Sequence, residues 1–139
     1  MYQKDYILRM VEMLAEMIAI ILGLAKKGDY KQASERLSRV YYDMLKQDAS
    51  FFRTIPEEEL TSKLLKEHDY NNGHLEILAE LFNAEAELEF AQGNRAGSLE
   101  YSRKSLTLFE FIDKELKTYS AERINKMKAI RDRVEALLS

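Results

Sequence analysis

The stretch that decides the fold is "LAKKGDYKQASERLSRVYYDML", residues 24–45, in which a glycine and an aspartate separate two helical patterns. A glycine directly after a helix favours the left-handed conformation that closes its last turn. An aspartate in the next position caps the helix that follows. Ala33 stands five residues after Gly28, where a small side chain lets two helices approach closely. The stretch therefore predicts a tight antiparallel helical hairpin.

The same pattern returns later in the chain. Residues 85–109, "EAELEFAQGNRAGSLEYSRKSLTLF", contain a helical pattern, then Gly93 and Asn94, then a second helical pattern. Ser98 again places a small side chain five residues after the glycine. Since asparagine caps helices as aspartate does, the second stretch predicts a second hairpin of the same kind.

The composition is that of one globular, helical domain. The chain has 139 residues, of which 46% are hydrophobic and 32% charged, with only one proline and five glycines to interrupt helices. It has no cysteine, which excludes disulfides, thiolate metal sites and thiol catalysis. We expect a single all-α domain over residues 1–139, with five or six helices stacked as antiparallel hairpins.

Apolar periodicity and turn residues place the six predicted helices. Thr54 and Glu57 have the spacing of a capping box, and Ser120 has the position of an N-cap. The Asn-Gly pair of "HDYNNG", residues 68–73, predicts a turn with a positive φ. The predicted helices run from about 3 to 27, 29 to 47, 56 to 67, 73 to 92, 94 to 117 and 120 to 138.

The first predicted helix carries more apolar side chains than one buried face needs. Its apolar residues recur every three or four positions, at Tyr6, Met10, Met13, Met17, Ile20, Ile21 and Leu24. A helix that is apolar on several sides must be covered on several sides, by its own chain or by a partner. We therefore expect a homodimer. The predicted interface consists of Met17, Ile18, Ile21, Leu22 and Tyr42.

The charge is unevenly distributed along the chain. Residues 57–100 carry 3 basic and 11 acidic residues, whereas residues 101–139 carry 9 basic and 6 acidic ones. On the fourth predicted helix, Glu80, Asn83 and Glu87 recur at helical spacing. They form a hypothetical acidic groove that suits a basic or amphipathic partner.

The segment "KKGDYKQA", residues 26–33, resembles the turn of a tetratricopeptide repeat, G-[DN]-Y-x-x-A. The glycines of the two turns, Gly28 and Gly93, are separated by close to two of that family's 34-residue periods. The resemblance implies a non-catalytic protein-interaction or scaffold module. It also places Ile18, Leu22, Asn83 and Glu87 on the inner face of the stack, where none is cationic. The family's clamp for a C-terminal carboxylate is therefore not expected.

The N-terminus carries a second resemblance. The opening "MYQKDYILRMVEML", residues 1–14, is similar to that of a family of small bacterial proteins of uncharacterised function. Members of that family begin M-Y-x-x-D-Y-[IL]-[LM]-R. The resemblance implies a bacterial, cytoplasmic, all-helical domain and brings no activity with it. The nine-residue apolar run from Met17 to Ala25 is far shorter than the roughly 20 residues that span a bilayer, so we expect no membrane association.

Two alternatives compete with the interaction module. A helical-bundle ligand- or metal-binding domain would use a polar site near His68, His74 and Glu80, although the two histidines lack the helical i,i+4 spacing of a strong metal motif. Nucleic-acid binding would use the basic residues of the last helix, but acidic residues alternate with them, which favours a salt-bridged surface. We expect no catalytic residues, no cofactor and no bound metal. The basic residues in question are Lys126, Lys128, Arg131 and Arg133.

Overall fold

The computed structural model describes residues 2–117 and 119–139, with side chains from residue 6 onward. A 3-10 turn over Glu57–Glu59 and a π-helical turn over Lys63–Glu67 flank the short α-helix Leu60–Ser62. The described residues contain no strand, which confirms the all-α prediction. The α-helices are α1 (Tyr2–Lys26), α2 (Tyr30–Leu45), α3 (Ala49–Arg53), α4 (Leu60–Ser62), α5 (Asn72–Ala91), α6 (Arg95–Leu116) and α7 (Ala121–Leu138).

Both glycine turns have the predicted geometry. Gly28 and Gly93 each have a φ of +83°. In each turn the N–H groups of the glycine and of the next residue donate to carbonyls of the preceding helix, which is the Schellman arrangement. The side chains of Asp29 and Asn94 then accept the backbone N–H three residues further on. Only three residues thus separate the two helices of each hairpin.

The small residues behind these turns lie in the core. Ala33 and Ser98 are both fully buried. The Ser98 hydroxyl donates a 2.8 Å hydrogen bond to the Ala86 carbonyl of the facing helix. The close approach of the two helices in each hairpin is therefore confirmed.

The most enclosed helix is α5, which packs against α1, α2 and α6. The hairpin α1–α2 and the hairpin α5–α6 meet through α5, and α7 packs against the outer side of α6. The buried residues of α5 are Leu75, Ile77, Leu78, Ala79, Glu80, Leu81, Phe82, Ala84, Glu85, Ala86 and Leu88.

The buried face of α1 is rotated away from the predicted stripe. Its buried residues are Leu14, Ile21 and Ala25. Three members of the predicted stripe are about half exposed instead: Tyr6 at 52%, Met13 at 52% and Ile20 at 55%. One flank of α1 is therefore apolar and uncovered.

The third predicted helix, 56–67, is helical from residue 57 to residue 67, but it changes from a 3-10 turn through α4 to a π-helical turn along its length. The Thr54 hydroxyl does not cap it; it donates back to carbonyls of α3, a helix that the sequence pattern did not predict. Glu57 accepts a 2.9 Å hydrogen bond from Thr107 of α6 instead of completing a capping box. The residues just before and at the start of this segment are therefore bonded to α3 and α6.

The turn before α5 also differs from the prediction. The positive φ falls on Asp69, at 59°, rather than on the Asn-Gly pair. Asn71 caps α5, and Gly73 already lies inside the first turn of the helix. A Cβ at position 73 would lie 2.5 Å from Cδ1 of Ile7, so a larger residue here would require the Ile7 side chain of α1 to shift.

The C-terminal helix begins as predicted. The Ser120 hydroxyl accepts the N–H of Arg123, which confirms it as the N-cap of α7. None of the helices in the described ranges combines the length and apolarity that a bilayer crossing needs.

Replacing Gly93 with Ala should lower the free energy of unfolding by about 1–2 kcal/mol, because an alanine at φ +83° pays the left-handed penalty. Gly23→Ala in α1 is the matched control. A Cβ there meets nothing within 4 Å, and the residue lies inside a helix. The free energy of unfolding of this variant should therefore be higher than that of the wild type by roughly 0.5–1 kcal/mol. Urea denaturation of both variants measures the difference. Equal effects of the two substitutions would contradict the assigned role of Gly93.

Candidate functional site

An uncovered apolar surface lies at the α1–α2 end of the stack; we call it the end face. It consists of Tyr6, Met13, Met17 and Ile20 on one flank of α1. Between the two helices runs an open groove of about 390 Å³, whose floor includes Met17, Ile20 and Val40. Charged residues of both signs form its rim on α2: Glu35, Arg36, Arg39 and Asp43. Single exposed apolar residues are ordinary, but a contiguous patch marks an interaction surface.

The structure separates the five residues of the predicted dimer interface. Ile21 is 1% exposed and belongs to the core, so it is removed from that set. Met17 lines the end-face groove, and Ile18 is half-buried. Leu22 lines a different groove of about 240 Å³, and Tyr42, 54% exposed, lines neither. The end face therefore shares with the prediction only Met17, and Ile20, Met13 and Tyr6 supply most of its exposed apolar side chains.

Two side chains of α7, Lys126 and Arg133, contact the predicted acidic groove. We call Glu76, Glu80, Asn83 and Glu87 of α5 the acidic strip. Glu80 is 8% exposed and forms an ion pair with Lys126. The amide oxygen of Asn83 accepts a hydrogen bond from an Nη of Arg133 at 2.5 Å. The structure thus brings the three predicted groove residues together; the chain's own basic helix covers Glu80, whereas Asn83 is half-buried and Glu87 is exposed.

The carboxylates of the acidic strip are only partly compensated. Burial raises the pKa of Glu76, and the neighbouring Glu80 raises it further, against the opposing effect of Arg123 and Lys126. Burial also raises the pKa of Glu87, while Arg133 lowers it. The cations of α7 therefore offset the burial of these carboxylates only in part.

The basic residues of α7 are engaged in ion pairs and hydrogen bonds. Arg131 pairs with Glu110 at 3.0 Å, and Lys128 pairs with Asp132 at 3.3 Å. Together with the contacts of Lys126 and Arg133, these pairs confirm the salt-bridged surface that the alternating charges predicted.

A buried polar cluster between α2, α3, α5 and α6 was missed by the sequence analysis. Glu85 is 3% exposed and accepts a 2.6 Å hydrogen bond from Nε of Arg53. Lys104 is also buried; it donates to the Arg53 carbonyl at 2.9 Å and lies over the rings of Phe82 and Tyr101. One signal was available, because Glu85 is four residues after Leu81 and three before Leu88, on the apolar face of α5.

The cluster has strongly perturbed ionisation. Burial, and then Glu85, raise the pKa of the Tyr41 hydroxyl well above its usual value, against the opposing charge of Arg53. The same two causes raise the pKa of Tyr101 to about 12. Burial raises the pKa of Glu85, and Arg53 opposes that shift. These groups line neither of the two grooves described above. Their contacts connect α2, α3, α5 and α6.

The two histidines do not form a metal site with Glu80. The Nδ1 atom of His74 accepts the N–H of Asn71 at 3.0 Å, which completes a capping box at the start of α5. The His68 ring packs edge-on against Phe51, with centroids 4.8 Å apart. Among the side chains described, those of residues 6–117 and 119–139, no three His, Asp or Glu are placed to hold a metal ion together.

Comparisons with known proteins found no relative of this chain. A scan of protein-family models, a search of curated proteins and a search of solved structures each found no match to this chain. The function must therefore be inferred from the two surfaces, the end face and the acidic strip.

The capping role of His74 predicts a pH-dependent stability. Burial lowers the pKa of His74 below its ordinary value of 6.5, so the unfolded chain binds the proton more readily than the folded one. The stabilisation is present above pH 6.5 and is lost as the pH falls. Protonation of Nδ1 also removes the acceptor for Asn71, which should cost on the order of 1 kcal/mol. Urea unfolding between pH 7 and 5 measures the loss.

The control is His74→Gln, since glutamine at this position of a capping box accepts the same N–H and does not titrate. The wild-type protein should lose more stability than this variant over the same pH range. Parallel pH profiles would contradict the role assigned to His74.

Proposed function

We propose that this protein is a non-catalytic interaction module that forms a homodimer through its end face. The observation that carries the proposal is the row of half-exposed apolar side chains on α1, with Tyr6, Met13 and Ile20 each more than 50% exposed. Burying apolar surface is worth about 25 cal/mol per Å². The row lies beside an open groove between α1 and α2 that a helix of a second copy can enter.

The two ends of the stack differ, and the difference supports a closed dimer. In stacked helical hairpins, an end stays soluble when its outer face is polar. Here the α7 end presents exposed charges, Lys128, Arg131, Asp132 and Glu135. A head-to-tail filament would have to bury the apolar end face against those charges. Two copies joined end face to end face avoid this, and the symmetric pairing closes after two chains.

The rim of the end face suits such pairing. On α2, Arg36 and Arg39 stand beside Glu35 and Asp43. In a symmetric interface both copies present the same patch, so basic residues of one copy can meet acidic residues of the other. A patch of a single sign would repel its own copy.

We also propose that the chain is tetratricopeptide-like. The proposal is supported by the two Gly-Asp and Gly-Asn turns with a buried small residue behind each, at Ala33 and Ser98. The short turns over residues 57–67 would then stand in place of a degenerate middle repeat. A bacterial and cytoplasmic origin, and membership of the family that opens M-Y-x-x-D-Y, belong to the same proposal.

Light scattering on a sizing column tests the homodimer. The wild-type protein should have about twice the 16.3 kDa mass of the chain. The double variant Met13→Lys and Ile20→Lys should have the mass of one chain, because each lysine places a charge in the apolar interface. Both positions are about half exposed, so the variant should keep its helical content by circular dichroism.

Leu8→Lys is the matched control, since Leu8 is 59% exposed on α1 but lies off the flank that carries Met13 and Ile20. This variant should remain a dimer. A wild-type mass of one chain at high concentration would refute the proposal. Loss of the dimer in the Leu8 variant would place the interface on another side of α1.

A further inference from the structure

The helix α7 packs on α6 and reaches the acidic strip of α5 with Lys126 and Arg133. Of the 18 residues of α7, only Arg123, Met127 and Ile130 are buried, whereas α5 buries 11 of its 20. The ion pair of Arg131 with Glu110 is half exposed on both sides. Half-exposed ion pairs contribute little to stability, so the outer ion pairs of α7 add little to its docking.

The contacts of α7 define what the surface beneath it recognises. Arg123, Lys126 and Arg133 reach Asp113, Glu80 and Asn83 of the two helices below. The apolar side of α7 consists of Met127, Ile130, Val134 and Leu137, at the spacing of one helical face. A ligand of this surface therefore needs one apolar stripe flanked by basic residues.

The surface carries more negative charge than α7 neutralises. Residues 121–138 hold five basic residues but also three acidic ones, Glu122, Asp132 and Glu135. Below them lie Glu76, Glu80 and Glu87 of the acidic strip and Glu110 and Asp113 of α6. A helix with the same apolar stripe and fewer acidic residues would match this surface better than α7 does.

We propose that the acidic strip and the adjoining face of α6 are a binding site for a basic amphipathic helix of another protein, and that α7 fills this site in the free chain. The inference rests on the proposed role as an interaction module but not on self-association, since the end face is a separate surface. The partner helix binds by displacing α7, so its apparent affinity is reduced by the tethered competitor.

A labelled synthetic peptide with the sequence of residues 120–139 is the probe, and fluorescence anisotropy measures its binding to the full-length protein. Wild-type protein should bind it weakly because its own α7 competes. The variant Met127→Ala with Ile130→Ala loosens α7 and leaves α5 and α6 unchanged, so it should bind the peptide at least tenfold more tightly. Adding Glu80→Lys to that variant should abolish the gain.

Two controls make the comparison specific. Lys128→Ala with Asp132→Ala changes only the outer face of α7 and should leave the affinity at the wild-type value. A peptide in which the residues equivalent to Lys126 and Arg133 are glutamate should not bind either protein. Binding of that peptide would show that charge does not select the ligand.

Hydrogen exchange decides the remaining outcomes. If the α7 amides lose protection in the loosened variant while the affinity stays unchanged, the surface is no binding site and the proposal fails. If the whole chain loses protection, α7 is part of the core and the proposal fails as well. A higher mass of the variant than of the wild type would assign the site to the α7 of a second copy. A negative result on the peptide leaves the homodimer test unaffected.

Discussion

The enclosure of α5 by α1, α2 and α6 is the constraint on which the rest of the structure depends. A helix buried on nearly every side leaves no room for an uncompensated charge, yet α5 contains the buried carboxylates of Glu80 and Glu85. Burying an unpaired carboxylate is costly, so each needs a cation from a neighbouring element. Arg53 of α3 and Lys126 of α7 supply them, and in doing so they fix two helices that bury little apolar surface of their own.

The contact between α5 and α6 is close because α6 presents serines to it. The hydroxyls of Ser98 and Ser105 donate to the carbonyls of Ala86 and Ala79 at 2.8 and 2.7 Å. Each bond satisfies a buried hydroxyl and leaves no gap between the helices. Ser102 makes the third buried serine contact, from the Arg133 guanidinium at 2.8 Å. One row of serines thus connects α6 to α5 on one side and to α7 on the other.

The two ends of the stack consequently expose different kinds of surface. At the α7 end, charged pairs cover the acidic strip and the outer face is polar. At the α1 end, the apolar residues of the end face remain uncovered. Polar docking is easier to exchange than apolar docking, since charged groups are well solvated when they separate. The molecule therefore combines one surface suited to a lasting contact with another suited to a reversible one.

The sequence alone determined the helical class, both glycine turns and the caps at Asp29, Asn94 and Ser120, because each depends on a few neighbouring residues. It also identified Glu80, Asn83 and Glu87 as one helix face. Only the tertiary structure decided which flank of α1 is buried, since its apolar residues cover more than one face and periodicity cannot choose among them. Likewise, the burial of Glu85 and the conformation of residues 54–71 depend on partners far along the chain, among them Arg53 and Thr107. The local sequence pattern cannot identify such partners.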